Sequence, residues 1–178
     1  MPEDFSSNVL KQAVNVAANM GTFEGSRLTV FASLSRKFEQ STQERQNMTL
    51  LVFLVEDDPK IRANLMDAMT GLLEVSFVGT AKSEPEALEW LTCHQDSWTL
   101  AVIDLFIEEG TGFAVMTNMQ RPSNQQHVVV LTNSATVENR QHALQCGAHA
   151  VFDKTDEIEN FFCYCEKLNN QQRILDSQ

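Results

Sequence analysis

No stretch of the 178-residue sequence is long and apolar enough to read as a membrane span, which takes about 20 consecutive apolar residues. The opening residues, Met1-Pro2-Glu3-Asp4-Phe5, have neither a basic nor an apolar segment, so no secretory signal is expected and the chain reads as cytoplasmic. Clustered Lys and Arg are missing too. The formal net charge is -11, with 13 basic against 24 acidic residues, which argues against a nucleic-acid surface. Residues 1–47 are neutral, so all of that charge falls in the remainder of the chain. Cysteines number four, and without a secretory signal they are expected as free thiols. Cys163 and Cys165 are two apart on a predicted helix and point to different faces, so they are not expected to share a metal. Cys93 and Cys146 are expected in the core.

What is present is a series of short apolar runs alternating with helical patterns. Residues 50–55, Leu-Leu-Val-Phe-Leu-Val, are a continuous run of strand formers, as in a strand buried on both faces. Pro59 follows, where a helix start tolerates its missing N–H. Ile61, Leu65, Ala68, Met69 and Leu72 then recur at helical spacing. A second strand is predicted over 75–80. Ser83-Glu84-Pro85-Glu86 has the capping-box pattern and opens a helix carrying Ala87, Leu88, Leu91 and Cys93. Further strands are predicted at 99–105, 127–131 and 149–153, with helices at 113–119, 135–146 and 156–168. Gly147 suits the end of the fourth helix. Ile158, Phe161, Phe162, Cys165 and Leu168 form the apolar stripe of the last one, and 169–178 reads as a polar tail.

Five strands alternating with five helices predict a doubly wound α/β fold with right-handed crossovers and a parallel sheet of order 2-1-3-4-5. This domain is expected over 48–168. Residues 1–47 form a separate arm with helical patterns at 9–20 and 27–38, and three readings of it stand: a docked helical arm, a regulatory or partner-binding segment, or residues upstream of a natural start at Met48.

In a parallel sheet of this kind, ligands bind along the carboxyl edge of the strands. There the sequence places Glu56-Asp57-Asp58 after the first strand, Asp104 after the third, Thr132 after the fourth and Lys154 after the fifth. Alone, each has an ordinary explanation. Asp104 suits a turn, Thr132 a helix cap, Lys154 a solvated strand end, and Asp58 the first turn of a helix, where the dipole favours negative charge. Together, in this order, the carboxylates of Glu56, Asp57 and Asp104, a hydroxyl and an ammonium can hold a divalent cation and a phosphoryl group.

On these residues the chain resembles the receiver domain of two-component response regulators, over 49–168. Val55-Glu56-Asp57-Asp58-Pro59 is similar to the family's acidic motif, and Val102-Ile103-Asp104 with Gly110-Thr111-Gly112 to its phosphoacceptor strand and glycine loop. Val130-Leu131-Thr132 is similar to its hydroxyl strand, and Gly147-Ala148 with Val151-Phe152-Asp153-Lys154 to its lysine strand. The resemblance implies a flavodoxin-like receiver fold in which Asp104 is the nucleophile that forms an acyl phosphate. It implies Mg²⁺ as cofactor, held by Asp57 and Asp104, by the Phe106 backbone carbonyl, and by Glu56 through water. Lys154 and Thr132 would contact phosphoryl oxygens, with help from the Asn133 N–H. The implied protein is a single-domain response regulator, phosphorylated by a sensor histidine kinase or phosphotransfer protein. It would signal by binding a downstream protein through the fourth helix, fifth strand and fifth helix, and its only catalysis would be its own phosphotransfer and slow dephosphorylation.

Three positions depart from the family pattern. The stretch Phe106-Ile107-Glu108-Glu109 lacks a proline common after the phosphoacceptor. Val151 stands where a switch aromatic is common, with Phe152 one residue off and therefore facing the other side of the sheet. Thr155 replaces a frequent proline. Three rival functions remain. One is a receiver-like binding module that is never phosphorylated. Another is a DNA-binding regulator using residues 14–40, a neutral and short segment. The third is an aspartyl-phosphate phosphatase, which needs a second acid where Phe106 stands.

Overall fold

The structure is a computed structural model, and it describes residues 49–175; the expectations for 1–47, for a start at Met48 and for 176–178 lie outside the described residues. Strands β1 (Leu50–Val55), β2 (Val75–Ala81), β3 (Leu100–Ile103), β4 (His127–Thr132) and β5 (Ala150–Asp153) alternate with helices α1 (Pro59–Leu72), α2 (Glu84–Cys93), α3 (Gly112–Asn118), α4 (Val137–Gln145) and α5 (Ile158–Leu175). The sheet is parallel in every pairing and its order is β2-β1-β3-β4-β5, as expected.

Hydropathy explains which strands lie inside. β1, β3 and β4 are nearly unbroken runs of Leu, Val, Ile and Phe, and almost every residue in them is buried. β2 and β5 are the edges and are only partly covered. The two-residue alternation of β1 then sorts the helices. Leu50, Val52 and Leu54 pack with α1 and α5 through Leu65, Met69, Phe161, Cys165 and Leu168. Phe53 and Val55 face the other layer, with Ala87 and Leu91 of α2, Val115 of α3 and Ala143 of α4. Among the described residues, no helix is long and apolar enough to cross a membrane.

Caps fix the helix starts. Asp58 caps α1, and Pro59 stands at its first position. Ser83 Oγ accepts from Glu86 N at 3.4 Å, and Glu86 Oε2 accepts from Lys82 N at 3.1 Å, so the predicted capping box forms with its return bond one residue early. Gly147 closes α4 at φ 104°.

Several expectations are corrected. Cys93 is exposed, because Ala87 and Leu91, one helical turn apart, define the buried stripe and Cys93 lies about 200° round from Leu91. Cys146 is only half-buried. Leu72 is 70% exposed, at the end of a stripe that Leu65 and Met69 complete. Helix α4 begins after Thr136, its cap, so Thr132 does not cap it. Helix α5 runs through the predicted polar tail to Leu175. Asn169 is buried there, its Nδ2 donating to Glu74 O at 3.4 Å, and the Asn and Gln residues around it are tolerated in a helix.

Candidate functional site

Pairing between the strands continues one residue past their ends, and this brings the predicted residues to one edge. Glu56 N donates to Ala81 O, Asp104 N to Val55 O and Lys154 N to Thr132 O, at 2.9–3.0 Å. Lys154 reaches from β5 across the sheet. Its Nζ lies 2.5 Å from Glu56 Oε2 and 2.6 Å from Asp104 Oδ2, joining residues far apart in sequence. All three side chains are nearly buried.

Burial pushes the Glu56 carboxyl above its ordinary pKa, and the Asp104 charge adds to this; the Lys154 hydrogen bond and charge oppose it. For Lys154, burial works against the ammonium, but the hydrogen bonds and charges of Asp104 and Glu56 outweigh it and raise its pKa. The other acids serve the backbone. Asp58 Oδ1 accepts from Lys60 N at 2.8 Å and Ile61 N at 3.0 Å, which lowers its pKa and gives it the capping role. Asp57, half-buried, accepts from Asp58 N at 3.0 Å.

Asp104 Oδ1 accepts from Phe106 N at 3.2 Å, turning the chain sharply after β3. The loop that follows is closed without a proline. Gly112 N donates to Leu105 O at 3.0 Å, Thr111 caps α3, and Glu84 Oε2 accepts from Thr111 N at 3.2 Å. Gly112 is required at its position, since a Cβ there would overlap the Asp104 carbonyl oxygen. Phe106 is 53% exposed on the rim, edge-on to Phe113. Thr132 is buried, its Oγ1 accepting from Ser134 N at 3.4 Å.

Thus Glu56, Asp104 and Lys154 are in direct contact, and Phe106 joins them through its backbone N–H to Asp104. Asp57 and Thr132 stand at the same edge, each accepting from the backbone of its own loop. Among the described residues, no three carboxylate, imidazole or thiol side chains converge into a ready metal cluster; the Lys154 ammonium lies between Glu56 and Asp104. Arg62 was not legible in the sequence. Its Nη1 donates to Glu56 O at 2.7 Å and holds the acidic loop, a contact that no motif or periodicity announces.

A model of the response regulator receiver domain matches residues 52–162. The chain belongs to this family. No curated protein matches it. Solved structures similar to this receiver domain include a LuxR-family two-component response regulator from Aurantimonas sp. SI85-9A1, at 16% identity, covering 69% of this chain and 86% of that one with a TM-score of 0.61. The signal receiver domain of the response regulator NarL from Mycobacterium tuberculosis is 23% identical, covers 67% and 97%, and has a TM-score of 0.57. The response regulator domain of Thermotoga maritima CheB is 16% identical, covers 70% and 96%, and has a TM-score of 0.56. At these identities the likeness is one of fold. The family match places the chain among the modules of two-component signalling.

Within that fold, the departure at Val151 has a structural counterpart. Val151 packs in the layer of α2, α3 and α4, while Phe152 lies in the opposite layer, 5.7 Å from Tyr164 and 6.0 Å from Phe161 by ring centroid.

Proposed function

We propose that this receiver domain takes a phosphoryl group from a phosphohistidine donor onto Asp104 and signals through phosphorylation-dependent binding of a partner protein. The observation that carries this reading is the contact of Lys154 with both Glu56 and Asp104, from three different strand ends. A carboxylate pair sharing one ammonium carries one negative charge in excess, and burial, which raises the pKa of Glu56, makes that charge costly to hold without a further cation. That donor set of hard carboxylate oxygens fits Mg²⁺. Glu56, Asp57, Asp104 and the Phe106 carbonyl would hold the ion. When bound, Mg²⁺ supplies positive charge against the phosphoryl oxygens and the incoming carboxylate.

A carboxylate oxygen of Asp104 attacks phosphorus as the P–N bond to the donor imidazole breaks, and the imidazole nitrogen keeps the electron pair. Lys154 offsets charge on a phosphoryl oxygen, as a compact ammonium can. The Thr132 hydroxyl and the Asn133 N–H donate to other phosphoryl oxygens. Water later cleaves the acyl phosphate, restoring Asp104. The partner surface is the face of α4, β5 and α5.

Incubation of the full chain with acetyl phosphate and Mg²⁺, and separately with a phosphorylated histidine phosphotransfer domain, tests this by intact mass. A Mg²⁺-dependent phosphoryl adduct is expected in the wild type and absent in Asp104→Asn. No adduct from either donor would overturn the reading.

A further inference from the structure

The loop between β4 and α4 is strapped to the first turns of its own helix. Asn139 Nδ2 donates to Ser134 O at 2.8 Å and to Ser134 Oγ at 3.4 Å. Arg140 Nε donates to Ala135 O at 2.9 Å. Arg140 then reaches beyond its helix. Its Nη1 donates to Val151 O in β5 at 2.7 Å, and its Nη2 pairs with Glu157 Oε2 just before α5. That same Glu157 oxygen accepts from Asp153 N at 2.9 Å. A guanidinium is planar and offers its donors in a fixed fork. One rigid group is therefore bonded at once to the loop after Thr132, to β5 and to the lead-in of α5.

We propose that Arg140 is the positioning residue that carries the state of the phosphorylation site from the β4–α4 loop to β5 and α5. This rests on the reading of Asp104 as the phosphoacceptor. With Val151 in the layer of α2, α3 and α4 and Phe152 on the opposite face, no aromatic side chain of β5 is available to follow the loop. A phosphoryl group on Asp104 draws the Thr132 hydroxyl and the N–H groups after it toward its oxygens. That movement carries the Ala135 carbonyl with it. The guanidinium cannot follow Ala135 and keep aligned bonds to Val151 and Glu157, because hydrogen bonds weaken steeply out of line. It lets go of β5 and Glu157, and this loosens Glu157, the acceptor of the Asp153 N–H, together with the first turn of α5.

Hydrogen exchange of the full chain, with and without acetyl phosphate and Mg²⁺, tests the idea; intact mass scores the adduct and peptides over 151–161 score the release. In the wild type, phosphorylation speeds exchange there by about fivefold or more. Arg140→Gln takes the adduct, already exchanges fast at 151–161, and shows a phosphorylation ratio near one. Glu157→Gln, which keeps an acceptor for Asp153 N, behaves likewise and decides the matter if Arg140→Gln does not fold. A merely structural Arg140 would raise baseline exchange yet leave the ratio intact, and that result overturns the proposal. So does a wild-type adduct with no change at 151–161. A wild type that takes no adduct removes the phosphoacceptor reading itself, and the proposal falls with it.

Discussion

Replacing Lys154 with Met removes the ammonium that separates two buried carboxylates. The Lys154 side chain is 9% exposed, and Glu56 and Asp104 are 2% and 9% exposed. Taking away one partner of a buried ion pair costs about 3–5 kcal/mol. The low end applies, because half-buried Asp57 and exposed Asp58 line the rim and let water near the carboxylates. A loss of about 3 kcal/mol lowers Tm by roughly 6–12 °C in a domain of this size. Burial already outweighs Lys154 in setting the pKa of Glu56. Adding Glu56→Gln to Lys154→Met therefore relieves the carboxylate repulsion and restores about half of the loss, a coupling expected of groups in contact. Mg²⁺ stabilises Lys154→Met more than the wild type, since no ammonium competes for the carboxylates. Urea unfolding followed by far-UV circular dichroism, with and without Mg²⁺, reads all three effects. A loss below about 1 kcal/mol, as for a surface ion pair, or no recovery in the double variant, would refute the claim that Lys154 balances two buried charges.

Gly112→Ala should destabilise by about 1–3 kcal/mol and slow phosphorylation, because its Cβ meets the Asp104 carbonyl; Gly71→Ala, with open space around it in α1, should instead stabilise by about 0.5 kcal/mol, and equal effects in thermal unfolding would contradict the steric account. Phe106→Asn should speed loss of the phosphoryl group, since it replaces an apolar ring on the rim with a group that can orient water; phosphate release timed after donor removal checks this, and an unchanged or slower decay counts against it. Stability should fall as pH drops below about 6.5, the ordinary imidazole pKa. Burial and the neighbouring His149 hold the pKa of His127 below that value, so the unfolded chain binds the proton first and the stability contributed by the neutral ring is lost in acid. His127→Phe should flatten this part of the Tm profile between about pH 7.5 and 5.5; a parallel profile would assign the acid loss elsewhere.

The fold was largely legible because its signals are local. Unbroken apolar runs mark β1, β3 and β4 as inner strands, and Pro59, Ser83 and Gly147 mark helix boundaries through their own backbone chemistry. The failures share a cause. Cys93 and Leu72 are apolar and lie near buried positions in sequence, but the packing partner covers a narrower stripe than composition suggests. The extension of α5 carries Asn169 to a contact with Glu74 that no local pattern encodes.

The candidate site divides in the same way. The sequence by itself determined which residue types end each strand, and strand order does the rest, because a parallel sheet places all carboxyl ends on one edge. What the tertiary structure decided is which of those groups touch. The reach of Lys154 across the sheet to Glu56 and Asp104, the grip of Arg62 on the Glu56 carbonyl, and the joining of the Ala135 loop, Val151 and Glu157 by Arg140 all depend on side-chain paths between strands and helices distant in sequence. Spacing along a chain fixes the face on which a residue lies; the length and direction of its side chain, set by packing, fix its partner.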